Sequence, residues 1–367
     1  MCKLKKNIKL SRTMLWAASV LSLALSASAD SINEDFNRPG NILIADQFNN
    51  RVIEINPETH AIVWQFGDGS VTAGPHSVVG TNDAERIGIV TLISGTGIPP
   101  NTVPQCTDPN GCVDNRVFIV GRAGNILWQY GQAGVTGSGP NELNTPVQAT
   151  FLPNFDILIT DQGNERIIEV NLKHEIVWQY GTTGVIGTAD NFLDNPNSAE
   201  LLANGHVLIA DENNNRAIEV KKAGSLGGTI VATFTAGGTT SGVAFASRLR
   251  NGDTLITDSN NSRIVEVDGS DNVVWQYFTN TDPSSNPAPL PTRAVRLRNG
   301  DTLISDQFNA RVIEVTPGKS IVRQFGNLNQ PGFGTSSTQQ GLNEPYDAKV
   351  IGDYTGLTPP FGFGNDN

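Results

Sequence analysis

The chain has 367 residues, and its 36 Asp plus Glu outnumber 25 Lys plus Arg. Charged residues make up only 17% against 38% hydrophobic, while Gly (38) and Pro (20) are abundant; that composition is folded, turn-rich and all-β, not disordered and not a helical bundle. The first 29 residues hold five cations (Lys3, Lys5, Lys6, Lys9, Arg12) and no anion, so the remainder carries 20 cations against 36 anions, a formal charge of −16. Phosphate backbones and anionic lipid are repelled by such a surface, so no nucleic acid and no membrane insertion is expected.

The N-terminus accounts for its own charge. A basic stretch from Lys3 to Arg12 precedes an apolar run from Met14 to Leu25 and then Ser26-Ala27-Ser28-Ala29. Such a run falls short of the roughly 20 residues a bilayer needs. Basic, apolar and small-residue regions in that order predict a secretory signal over 1–29, cut after Ala29, and therefore export to the periplasm or beyond. Cys2 leaves with it. Cys106 and Cys112 remain, with five residues between them in a Pro/Asn/Gly-rich stretch. In an oxidising compartment a local disulfide is expected, tidying its loop without holding the fold. Two thiolates without a nearby His give only half a zinc shell.

Five segments share the pattern Leu-Ile-x-Asp, four variable residues, Arg, two aliphatics and Glu-Ile/Val: Leu43–Ile55, Leu158–Val170, Leu208–Val220, Leu255–Val267 and Leu303–Val315. A degenerate sixth is split by an insert at about 94–115: Asn115 to Val120 matches the second half, and the region near Ile89 to Leu92 the first. The repeat arginines are Arg51, Arg116, Arg166, Arg216, Arg263 and Arg311, spaced 65, 50, 50, 47 and 48. A Val-Trp-Gln-Tyr-like strand follows each arginine after about 12 residues, although the fourth copy has Ala232 in place of Trp. Each unit reads as four short strands, and periods near 50 with four strands predict a β-propeller. Inner strands are expected at Pro75, Pro146, Pro196, Val243, Pro291 and Pro345. The first unit lacks its own, so Pro345 to Val350 is expected to complete blade one, giving a monomeric six-bladed propeller over 30–355 with a tail over 356–367.

The blade links repeat as Gly131-x-x-Gly134-x-x-Gly137 with Leu143 and Pro146, then as Gly181, Gly184, Gly187, Leu193 and Pro196. Together with Asp-x-x-x-x-Arg-Val/Ile, these motifs resemble the NHL-repeat family of six-bladed propellers over nearly all of residues 40–350. The resemblance implies the fold; its members include scaffolds, binding domains and a lyase.

Repeated residues specify architecture before chemistry. Each Asp faces the Arg five residues on, so a local ion pair is expected in five blades and is expected to be missing from blade two, which lacks the Asp and has Ile119 for the Glu. Trp64, Trp128, Trp178 and Trp275 share one position and are read as blade-packing residues. Chemistry then falls to positions that break the repeat. Counting from each inner-strand anchor puts His76, Gln148, Asn197, Ser198, Phe245, Arg293, Tyr346 and Asp347 around the channel mouth. Of these, His76, Gln148, Asn197, Ser198, Arg293, Tyr346 and Asp347 are the ligand-binding candidates, and Arg293 and Asp347 are expected to pair when no ligand is bound. His60, His174 and His206 fall at the opposite end, too dispersed for a zinc site. Asn197 and Asp347 offer calcium a sparse donor set, and no other cofactor is predicted. The chain reads as a binding or scaffold module for a protein or small ligand. The alternative is a propeller enzyme, lactonase-, lyase- or arylsulfotransferase-like, for which only His76 could serve as a mouth nucleophile.

Overall fold

The computed structural model describes residues 35–332 and 341–353, in which 24 strands form six four-stranded sheets. The expected signal and the tail lie outside the described residues. Blade one joins β24 (Pro345–Val350) to β1 (Ile42–Asp46), β2 (Arg51–Ile55) and β3 (Ile62–Phe66), with β24 antiparallel to β1, so the C-terminal strand closes the ring as the sequence predicts. Blade two is β4 (Thr81–Ile87), β5 (Val90–Ile98), β6 (Cys112–Gly121) and β7 (Ile126–Tyr130). Blade three runs β8 (Pro146–Phe151), β9 (Ile157–Asp161), β10 (Arg166–Val170), β11 (Ile176–Tyr180), and blade four β12 (Pro196–Leu201), β13 (Val207–Asp211), β14 (Arg216–Lys222), β15 (Gly228–Phe234). Blade five runs β16 (Val243–Arg248), β17 (Thr254–Asp258), β18 (Arg263–Val267), β19 (Val273–Phe278), and blade six β20 (Arg293–Arg296), β21 (Thr302–Asp306), β22 (Arg311–Val315), β23 (Ile321–Gly326). Inner strands touch in the order β24, β4, β8, β12, β16, β20 and back to β24. Both faces of each blade are covered, and this is why the aliphatic runs barely alternate.

The repeat aspartate organises the mouth end of each blade. Asp46, Asp161, Asp211, Asp258 and Asp306 end the second strand, and a four-residue turn closing on a left-handed residue returns the chain to the arginine. The arginine Nε donates to the carboxylate at 2.6–2.8 Å in all five. An asparagine three residues after the Asp donates to it as well: Asn49, Asn164, Asn214, Asn261 and Asn309. In four blades the carboxylate also accepts a backbone N–H from the incoming linker, at Asn144, Asp194, Ser241 and Asn343. One side chain thus ties together the turn, the third strand and the linker, each bond being charge-assisted.

Blade two departs from the sequence expectation in three ways. Its inner strand begins at Thr81, not Pro75. The insert is the far end of a lengthened β5–β6 hairpin with a 99–111 loop, bridged by Cys106–Cys112. That loop packs inward, burying Cys106 with Val79, Ile98 and Val103 beside Phe48. Nor has the ion pair gone. Gly95 takes the register position of the missing Asp, and Asp114 on β6 turns its carboxylate into the space, donating nothing but accepting from Arg116 Nε at 2.5 Å and Val79 N at 2.8 Å. A Cβ on Gly95 would lie 2.6 Å from the Asp114 carboxyl carbon, so the glycine is what admits the substitute.

At the opposite end the repeat glutamate and tryptophan bind most blades to their successors. Glu54 pairs with Arg86, Glu219 with Arg248, and Glu266 with Arg296, each arginine lying near the end of the next inner strand. Where Trp is present, its indole N–H reaches the next blade's outer turn: Trp64 to Arg122 O, Trp128 to Leu172 O, Trp178 to Gly227 O and Trp275 to Pro317 O. Arg86 lies over the Trp64 ring and Arg296 over Trp275. The tryptophans are interblade latches, in keeping with the packing role read from their shared position.

Candidate functional site

The first residue after each inner-strand anchor crowns the channel, and the bulge there frees it from regular alternation. Tyr346 of blade one and Asn197 of blade four, on opposite sides of the ring, meet at 2.9 Å (Asn197 Nδ2 to the Tyr346 hydroxyl). Asn197 also donates to Glu212 at 2.8 Å. Arg293 of blade six reaches beneath them: its Nη1 donates to Asn197 Oδ1 at 3.1 Å, Ala244 O at 3.1 Å and Thr292 O at 3.2 Å. The rings of Phe245 and Tyr346 lie 5.0 and 5.2 Å from its guanidinium carbon. Burial pushes the Tyr346 hydroxyl up to about 12, so it stays a neutral donor.

Arg293 is only 1% exposed and has no carboxylate within ion-pair distance among the described residues, and its Nε has no hydrogen-bond partner. The repeat arginines, Arg86, Arg248 and Arg296 all have one. The expected Arg293–Asp347 pair does not form. Asp347 instead binds Lys349 at 2.6 Å, two residues along the same strand, and accepts Ala84 N. Lys349 is shared with Asp83 at 2.7 Å. Burial alone would lower the Lys349 ammonium, but Asp347, Asp83 and Glu85 outweigh it and hold the lysine above its usual range. A nearer, more flexible cation on the same strand has displaced Arg293 as the partner.

Below the crown, side chains of one inner strand cap the backbone of the next. Asp83 accepts Ala149 N, Gln148 accepts Ala199 N, and Ser198 accepts Ala246 N. One layer deeper, Glu85 accepts Phe151 N and Glu200 accepts Arg248 N. These amides face the channel and have no sheet partner, so the neighbour supplies the acceptor. Burial pushes Glu85 and Glu200 up to about 8 and Asp83 up to about 6, the last against the pull of Lys349.

Of the expected mouth residues, Asn197, Arg293 and Tyr346 converge, Asp347 joins the lysine cluster, and Gln148 and Ser198 serve as caps. His76 is not in the ring: it is exposed in the loop before β4. The true counterparts in blade two are Asn82 and Asp83, with Thr81-Asn82-Asp83-Ala84 matching Pro345-Tyr346-Asp347-Ala348. The alanine shared by every inner strand, Ala84 in blade two, is the sequence signal that would have found them. Glu212 and Lys349 were also missed, since neither occupies the two positions counted from the anchor. Asn197 and Asp347 do not meet, and the Lys349 ammonium beside Asp347 repels a cation, so the donors do not fit calcium. No cluster of three or more His, Cys, Asp or Glu suited to a metal occurs among the described residues.

Fold and channel define a six-bladed β-propeller with a closed ring and a self-capped polar channel. The sequence matches no family model and none of the curated proteins. Among solved structures, the chain is similar to a protein of unknown function from Bacteroides caccae, with TM-score 0.57, 17% identity and coverage of 85% of this chain and 98% of that one. A virginiamycin B lyase from Staphylococcus aureus matches at TM-score 0.48 and 13% identity, covering 82% and 89%. Likeness at these identities extends to the fold alone.

Proposed function

We propose that this protein is an exported, NHL-like binding propeller whose channel mouth receives the anionic group of a small ligand on Arg293. One observation carries this reading: a fully buried guanidinium that makes no direct ion pair among the described residues. Burying an uncompensated cation costs several kcal/mol, and proteins normally pair such groups. Only neutral acceptors and two rings touch it directly, while Glu212 and Asp83 act on its charge from beyond contact, an arrangement that holds a cation in place without a bonded carboxylate. Tyr346, bridging to Asn197 across the mouth, is the group that must swing aside for a ligand to enter. The disulfide is compatible with export, and no helix among the described residues is long and apolar enough to cross a membrane. A transferase using a mouth histidine finds no support in the loop position of His76.

The test is a thermal-shift and calorimetric screen of small carboxylates, sulfonates and phosphates against the full chain. Binders should raise the Tm of the wild type and lose at least tenfold in affinity on Arg293→Gln, with the circular dichroism spectrum unchanged. Ligands that bind Arg293→Gln as tightly as wild type, or a complete absence of anion binders, would overturn the mouth reading.

A further inference from the structure

The seam between blades six and one differs from every other. Four seams carry an indole latch, and at the seam from blade four to five, where Ala232 replaces Trp, Asp271 closes the gap by accepting the N–H groups of Thr235, Ala236 and Gly237. At the last seam the register puts Arg323 opposite Glu314, as Trp64 is opposite Glu54. Arg323 turns back onto Glu314 of its own blade at 2.8 Å, with 41% of its side chain exposed. The turn carbonyl of blade one that corresponds to Leu172 O and Pro317 O is Pro57 O, and it has no donor among the described residues.

The space is open. A cleft of about 410 Å³ lies there, walled by Pro57, Leu297 and Val350 and flanked by Arg298 and Arg323. That volume is within the range of small-molecule sites. Arg298 gives its backbone N–H to Asp353, while its guanidinium makes no ion pair among the described residues. Of the acids lining the cleft, Glu314 is paired with Arg323 and Asp353 accepts the Arg298 backbone N–H, while Glu58 makes no ion pair among the described residues. Arg38, also at the rim, is 3.6 Å from Asp35.

We infer that this seam cleft binds a planar aromatic acid bearing one N–H donor, an indole carboxylate being the minimal case. The ring takes the place of the absent latch against Leu297 and Val350. Its N–H serves Pro57 O, and its carboxylate meets Arg298 and the unengaged arms of Arg323, a fork geometry suited to carboxylate. This site lies at the end of the ring opposite Arg293, so it stands or falls apart from the mouth reading.

Indole-3-acetate is the probe, titrated into the full chain by saturation-transfer NMR and calorimetry, with indole and acetate as controls. Saturable binding is expected for indole-3-acetate and at least tenfold weaker binding for each control. Arg323→Trp should restore the latch, raise the Tm and abolish binding. Arg298→Ala, a surface change that leaves folding intact, should weaken binding about tenfold, and Arg293→Gln should leave it unchanged. Equal binding of indole and indole-3-acetate, undiminished binding by both Arg323→Trp and Arg298→Ala, or no saturable binding would overturn the assignment.

Discussion

Pro289 stands where four other blades offer a linker amide to the repeat aspartate, and Asp306 in consequence keeps one oxygen, Oδ1, without a hydrogen-bond partner. A proline has no N–H to give. Burial pushes the Asp306 carboxyl up to about 6 despite the pull of Arg311. A carboxyl whose folded pKa is raised binds its proton more tightly when folded, so its contribution to stability is present below the unfolded pKa of about 3.9 and is lost as pH rises through about 6. Pro289→Asn should supply the donor and raise stability at pH 7 by roughly 1 kcal/mol after the loss of proline's effect on the unfolded chain. The gain should vanish below about pH 4. Urea denaturation at the two pH values checks this, and an equal gain at both would show that the amide does not act through Asp306.

Glu85 and Glu200 predict a second pH effect of the same sign. Both are pushed up to about 8 by burial, so the folded protein holds protons that the unfolded chain has released. Stability should fall between about pH 4.5 and 8, at up to about 1.4 kcal/mol per pH unit for each group. Glu85→Gln with Glu200→Gln preserves the acceptors for Phe151 N and Arg248 N and should flatten that slope. Chemical denaturation across this range measures it; an unchanged slope in the double variant would assign the effect to other groups.

Ile119 and Phe151 are buried in one apolar cluster at the place where blades one, four and five set a glutamate against the next blade's arginine. Both halves of the pair have been exchanged together. Ile119→Glu alone should destabilise by several kcal/mol, because it buries an unpaired charge. Adding Phe151→Arg should recover part of the loss, with a coupling of about 1–3 kcal/mol in the double-mutant cycle. Additive effects would mean the two positions are independent.

Ring closure rests on β24. Truncation after Asn343 removes Pro345–Val350, unpairs β1 and deletes Asp347 and Lys349 from the channel, whereas truncation after Pro359 leaves all of these. Each buried backbone group left unpaired costs about 1–3 kcal/mol, so the shorter chain should be insoluble or unfolded. Comparable Tm for the two truncations would refute closure by the C-terminal strand.

The buried position of Cys106 gives the disulfide more weight than its short loop implies. Replacing Cys106 and Cys112 by Ser should cost roughly 2 kcal/mol through the loop-closure term, with a further loss from placing a hydroxyl in an apolar cluster. A Tm within a degree of wild type would show that the hairpin end is independent of the ring.

The blade number, the strand order, the closing strand and the Asp–Arg turns were all legible in the amino-acid sequence. The blade pattern and the turns depend on contacts between residues a few positions apart, which repetition prints several times over. The closing strand, although it pairs across the whole chain, was legible as one more copy of the inner-strand repeat than the first unit supplies. What depended on the ring was not. Asp114 replaces the missing aspartate because Gly95, on the neighbouring strand, leaves it room, which no spacing rule records. The blade-two inner strand starts at Thr81 because pairing with β5, not a proline, sets its register. Asn197 and Tyr346 lie 149 positions apart and touch only because six blades curve into a closed channel. Arg293 lost its expected partner to Lys349 because the two cations compete for one carboxylate, and distance in three dimensions decided between them.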